Sequence, residues 1–240
     1  MVESFKLTAQ KLKRILKISV NLPKSYHKTE DSYPLLICFD GQLLFNFINE
    51  NTQHINISGI LDSHKTEAIC IALQSPKIEA WRMSELNPYY NGNDSTVEPV
   101  LSYIYFDYII NELLPLLKQR YRFNDEIYLL GFDEGAIASL FMVYKYNMIK
   151  GAGIFHPRLD LCNNKLSIDL EKNFTSDKRI YLYQGAKDTT SDEHTAFYNL
   201  YTRLESLKCS DLLLDFDSND SNTYSEYEKH LSDFIKFLLP

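Results

Sequence analysis

The sequence predicts an α/β fold: a three-layer α/β/α arrangement with a mostly parallel central sheet, formed by residues 1–240 as one domain. Three observations predict it. Short β-type runs alternate with longer helical patterns through most of the chain, which is the signature of strands joined by crossover helices. An apolar run, YLLGF, feeds Gly131-Phe132-Asp133-Glu134-Gly135 and then at once an apolar helical pattern, the frame of a sharp strand-to-helix turn. At 240 residues and 45% apolar composition, the chain is long enough for one sizeable core and short for two.

The elements follow in order. KLKRILKISVNLP, near residues 12–23, mixes period-two alternation with β-branched residues and reads as a half-exposed strand ended by Pro23. YPLLICFDG (33–41) is a buried strand that stops at a turn, TEAICIAL (66–73) a second and EIYLLGF (126–132) a third. KGAGIF (150–155), RIYLYQG (179–185) and DLLLDF (211–216) complete the strand set. VLSYIYFDYIINELLPLLKQRYRF carries apolar residues at i, i+3, i+4 and i+7 and predicts a long amphipathic helix interrupted near Pro115. GAIASLFMVYKYNM, SDEHTAFYNLYTRLESLK and SEYEKHLSDFIKFLLP predict three more, the last opening with a capping box of Ser225 and Glu228. NPYYNGNDSTVEP (87–99) is a long loop.

Composition narrows the function classes. A formal net charge of -7 argues against nucleic acid or an anionic membrane surface as partner. The first thirty residues lack an uninterrupted apolar segment and no stretch approaches eighteen apolar residues, so the expectation is a cytoplasmic protein with no membrane span. Cys38, Cys70, Cys162 and Cys209 form no C-x-x-C pair, which fits a reducing compartment; Cys38 and Cys70 lie in apolar runs as buried, inert thiols. The 17 Tyr and 14 Phe are enough to line a binding face or a homodimer contact.

Several pieces, in this order, resemble the putative-esterase family of α/β-hydrolases, which includes the enterochelin esterases. RILKISVNLPKSY is similar to its early strand, and YPLLICFDGQLLF to the strand ending in Asp-Gly-Gln, here Asp40, Gly41 and Gln42, with Phe45 beyond. WRMSELNP reproduces R-x-x-E-x-x-P through Arg82, Glu85 and Pro88. NELLPLLKQRY resembles the helix before the nucleophile turn, and YLYQGAKD the strand ending at the triad acid. The resemblance implies an α/β-hydrolase fold and an oxyanion site at Glu134 and the loop around Gly41 and Gln42. It puts the nucleophile position at Asp133, the acid at Asp188 and the histidine at or near Asn222, with Tyr224 and Tyr227 at aromatic positions.

Two of the three catalytic positions are therefore changed, and no hydroxyl stands where the family's serine would be. One reading makes Asp133 itself a nucleophile, which requires a base to activate the second-step water. His156, which follows a parallel strand, is the best-placed histidine, with packing beside Pro157 as its ordinary alternative. His230, inside the last helix, is expected at the surface, and His27, His54, His64 and His194 lie in polar stretches. A second reading gathers Asp40, Asp133, Asp188 and Glu134 around a cation, with His156 adding nitrogen; no metal-ligand spacing supports it, Lys187 or Arg82 could neutralise the acids instead, and Arg82 could pair with Glu85.

The third, favoured, reading is loss of serine-esterase chemistry. It leaves a binding or regulatory protein with a small-molecule or protein ligand in the cleft, and it implies no cofactor and no metal. An imidazole hydrogen-bonded to Asp133 is the one observation incompatible with inactivity.

Overall fold

In a computed structural model, which describes residues 2–45, 55–90, 100–162 and 164–239, eight strands form one sheet. The strands are β1 (Val2–Ala9), β2 (Arg14–Asn21), β3 (Tyr33–Cys38), β4 (Ile69–Leu73), β5 (Phe123–Phe132), β6 (Ile149–Phe155), β7 (Arg179–Gly185) and β8 (Asp211–Asp217). Their order across the sheet is β1-β2-β4-β3-β5-β6-β7-β8. β2 is antiparallel to both β1 and β4, and every other pairing is parallel. The helices are α1 (Ile57–Ser63), α2 (Glu79–Leu86), α3 (Ser102–Tyr108), α4 (Leu114–Arg120), α5 (Glu134–Lys145), α6 (Lys165–Asn173), α7 (Ser191–Ser206) and α8 (Tyr224–Leu238).

Alternation along the inner strands builds two cores. Leu35 and Ile37 of β3 pack with Ile69 and Ile71 of β4 on one face, together with Phe106, Ile137 and Phe141. Leu36 and Cys38 turn to the other face, where Cys70, Tyr128 and Leu130 meet Ile57 and Leu61 of α1 and Tyr227, Leu231 and Phe234 of α8. Both faces of the parallel strands are thus covered, which is why these strands read as continuous apolar runs. The sheet and its two helix layers give the expected α/β/α arrangement.

The long helix is interrupted near Pro115, as expected: a π-helical turn at Ile109–Leu113 joins α3 to α4, and Pro115 stands in the first turn of α4, where a missing N–H is best tolerated. Three local expectations differ. Residues 2–9 form an added edge strand; VESFKLTA is mostly exposed, so it lacks the apolar run that marked the other strands. α1, α2 and α6 are short helices with too few turns to display a period. The last helix is capped two residues earlier than predicted: Thr223 is the N-cap, its hydroxyl reaching Glu226, and Glu228 instead accepts the Asn56 N–H. Most of the 87–99 loop, and His54, lie outside the described residues.

Candidate active site at the carboxyl ends of β3, β5 and β6

Asp133 joins β5 to α5 with φ 52° and ψ -113°, a conformation that costs an L-residue on the order of 1–3 kcal/mol. The turn is tolerated because its glycines have no side chains. A Cβ on Gly131 would stand 1.9 Å from the Gly135 carbonyl oxygen, and one on Gly135 would stand 3.1 Å from both Asp40 Oδ2 and Phe39 Cβ. Asp40 after β3 (φ 53°) and His156 after β6 (φ 47°) are also left-handed. Three neighbouring strands therefore end in strained non-glycine residues, a clustering associated with functional sites.

Strand register brings two of these residues together. Phe132 of β5 is the partner of Phe155 of β6, and the Asp133 N–H donates to the Phe155 carbonyl at 3.0 Å. The side chains that follow meet: His156 Nδ1 lies 3.0 Å from Asp133 Oδ1. Tyr227 of α8 donates its hydroxyl to the same oxygen at 3.4 Å. Burial, then the Asp133 charge, pushes the Tyr227 phenol well above its ordinary range, so it stays a donor. Burial and Asp133 also push Tyr224 up to about 12. The imidazole that the inactive reading excluded is present, supplied by β6 rather than by the region of Asn222.

Beneath the turn, Arg82 of α2 organises the charges. Its Nε and Nη2 hold Asp40 Oδ1 and Oδ2 at 2.9 and 2.8 Å, while Nη1 bonds Glu134. Asp40 is fully buried and Glu134 is 2% exposed, so this guanidinium compensates two carboxylates that water does not reach. Burial pulls the Arg82 pKa down, but Asp40 and then Glu134 more than offset it and the net direction is up. Arg82 does not pair with Glu85 as its spacing allowed. Glu85, buried, is held instead by a fork from Arg14, at 2.7 Å from Nε and 2.6 Å from Nη2. Gln42 donates to Asp40 at 3.2 Å and accepts from the Ser75 N–H at 3.1 Å, fixing the loop at Gly41.

The remaining triad positions are not joined to Asp133. Asp188, in the turn after β7, is exposed and bonds to no other site residue. Asn222 fastens its amide to the backbone of Gly185, accepting from the N–H at 3.0 Å and donating to the carbonyl at 2.8 Å. The four acids considered for a cation do not gather: Arg82 takes Asp40 and Glu134, and Asp188 faces water. His230, expected at the surface, is instead half-buried between Asp215 (2.7 Å to Nδ1) and Asp220 (3.0 Å to Nε2). Burial lowers its pKa, and the two carboxylates more than offset this and raise it. Sequence reading missed that cluster; the D-x-D-x-x-D spacing of 215, 217 and 220 was its only signal.

His156 also lines a cavity of about 460 Å³ with Arg158, Gln184, Thr190, Asp192 and Glu193. Glu193 is tied into the N-terminus of α7, where it and Thr190 complete a capping box. His156 Nε2 has no hydrogen-bond partner among the described residues, so it is the free nitrogen of the pair. The cysteines are free thiols; Cys38 and Cys70 lie with sulfurs 3.6 Å apart, and burial first, then Cys70, pushes the Cys38 thiol well up, as an inert interior position requires.

None of the curated proteins matches the chain in sequence. Among solved structures, an IroE-like serine hydrolase from Shewanella oneidensis is 15% identical, with a TM-score of 0.81 over 100% of this chain and 80% of that one. The BES protein from Bacillus cereus is 17% identical, with a TM-score of 0.80 and coverage of 100% and 96%. The siderophore hydrolase EstA from Aspergillus nidulans is 16% identical, with a TM-score of 0.75 and coverage of 99% and 93%. These likenesses establish the α/β-hydrolase fold. The family model described as Putative esterase matches residues 9–211, the stretch that carries β2, the Arg82 charge network, the Asp133 turn and His156, and the chain belongs to that family.

Proposed function

We propose that the protein is a hydrolase of esters or related acyl compounds in which His156, held by Asp133, activates water, in place of the serine acyl transfer expected of the nucleophile elbow. The supporting observation is the 3.0 Å contact between His156 Nδ1 and Asp133 Oδ1. At that separation no water fits between imidazole and carboxylate. His156 is thus badly placed to hydrolyse an ester formed on Asp133, which speaks against Asp133 as the nucleophile. The same contact suits a carboxylate that orients an imidazole: Asp133 accepts from Nδ1–H, and Nε2 is left as the base. The Glu134 N–H, one of the unpaired donors at the start of α5, and the Gly41–Gln42 loop supply the oxyanion donors.

A positioned general base contributes roughly 10²–10⁴-fold to rate. Hydrolysis of p-nitrophenyl acetate by the wild type is therefore expected to fall by about that factor in both Asp133→Asn and His156→Gln, with no labelling by fluorophosphonates. A rate indifferent to both substitutions would sink the proposal.

The reading as a binding or regulatory protein without hydrolytic activity is weakened by the imidazole at Asp133 and rests only on the Tyr227 hydroxyl also occupying Asp133 Oδ1 and on the commitment of Asn222 to Gly185. On that reading the cleft takes a small molecule or a protein segment. An inert wild type that binds such a ligand only when Asp133 is intact would favour it. For either reading four free thiols fit a cytoplasmic setting. No described helix is long and apolar enough to cross a membrane.

A further inference from the structure

We propose that Asp217, Asp220 and His230 form a binding site for a divalent transition-metal ion that fastens the β8–α8 connection. One nitrogen of His230 and one oxygen of each carboxylate lie within 4.8 Å of one another. Ligands bound at about 2.0–2.2 Å stand at most about 4.4 Å apart, so small side-chain rotations close the set.

The geometry behind the three residues is what separates this group from a chance cluster of acids. A metal-ligating histidine characteristically donates its other ring N–H to a carboxylate, which fixes the tautomer and aims the ligand nitrogen. Asp215 does this here, accepting from His230 Nδ1 at 2.7 Å, and Asp215 is itself held by the Tyr181 hydroxyl. The same hydroxyl lies 3.2 Å from the His230 carbonyl oxygen, so Tyr181 stands against both Asp215 and the backbone that carries the imidazole. Nε2 then faces Asp220. Asp217 is oriented separately, its Oδ1 accepting the Asn219 N–H at 2.8 Å.

An independent observation points to a missing partner. Tyr183 is fully buried, its ring lies 4.1 Å from the His230 ring, and its hydroxyl has no hydrogen-bond partner among the described residues. Of the charges around that hydroxyl, Asp220, Asp215, Glu226 and Asp217 act on it most. A buried hydroxyl left unpaired costs about 1–3 kcal/mol, and a water on an ion held by these acids would supply its partner.

Three protein ligands leave room for such a water. One imidazole and two carboxylates suit Zn²⁺ or Mn²⁺, whereas Mg²⁺ and Ca²⁺ prefer all-oxygen shells. In the metal-free protein, Lys229, whose Nζ stands 3.3 Å from Asp220, offsets part of the acidic charge. The Lys229 side chain is 62% exposed and free to swing away. The ion would tie the loop that carries Asn222, bonded to Gly185, to the first turns of α8.

The test is calorimetric titration of the chelator-treated full-length protein with Zn²⁺, Mn²⁺, Mg²⁺ and Ca²⁺. One equivalent of Zn²⁺ or Mn²⁺ is expected to bind, at least about tenfold more weakly in Asp217→Asn and in His230→Gln. The thermal midpoint should rise by about 5–10 °C at hundredfold excess over Kd. Should His230→Gln fail to fold, Asp217→Asn decides, because Asp217 takes no part in the His230 hydrogen bonds. Absence of saturable 1:1 binding, binding unchanged by Asp217→Asn, or equal weak binding of all four ions overturns the proposal.

Discussion

Arg82 is the residue whose loss should be felt most widely. Replacing it with methionine keeps most of the side-chain volume but leaves Asp40, fully buried, and Glu134, 2% exposed, without their guanidinium. Glu134 retains Arg158 at 3.5 Å, whereas among the described residues Asp40 keeps the Gln42 amide at 3.2 Å. Breaking a buried ion pair by removing one partner costs about 3–5 kcal/mol, mostly the penalty of an uncompensated charge. Each kcal/mol shifts the midpoint of a chain this size by roughly 2–4 °C, so Arg82→Met should melt about 6–20 °C lower. Urea unfolding read by circular dichroism, with an unchanged slope, measures the loss directly. Adding Asp40→Asn should recover part of it, because the stranded charge is then gone. A loss below about 1 kcal/mol, the value of a solvent-exposed pair, would refute the view that Arg82 compensates two buried acids.

Two further substitutions probe the backbone around the site. Asn222→Ala removes both bonds to Gly185 and should cost about 1–3 kcal/mol in urea unfolding; a neutral result would mean that water replaces the amide freely. Gly131→Ala would put a methyl group 1.9 Å from the Gly135 carbonyl oxygen, and a loss of about 3 kcal/mol or more, or insoluble expression, is expected. A well-folded Gly131→Ala protein would show that the turn opens without penalty.

The parallel strands were legible because each is buried on two faces and therefore spells a continuous apolar run, and β7 was located to the residue as RIYLYQG. The edge strand β1 was not, because an exposed antiparallel strand has little apolar signal to give. The Asp133 turn could be read from its glycines and the helix behind it. His156 was named from its place after a strand, yet its contact with Asp133 depends on the register of β5 against β6, which no local pattern records. The pairings of Arg14 with Glu85 and of Arg82 with Asp40 span 71 and 42 residues, beyond any helical spacing rule. His230 was misjudged for the same reason: helical position suggested solvent, and its two acids lie on β8 and the loop after it.

What the fold preserves and what it releases can be separated at this site. The backbone at Asp40, Asp133 and His156 is dictated by adjacent parallel strands ending together, and Gly131 has no room for a Cβ while Gly135 has little. Side-chain identity at the turn is under no such steric control, so a carboxylate can occupy the position where the family resemblance places a hydroxyl. Once Phe132 pairs with Phe155, the residues that follow on β5 and β6 are neighbours, and a histidine at 156 meets whatever stands at 133. On the proposed reading a carboxylate there orients that histidine as a base, whereas a hydroxyl would face Nδ1 without a third group behind the ring. On the same reading the aspartate and the histidine act as one unit, so Asp133→Ser alone should yield neither a serine esterase nor the present pair.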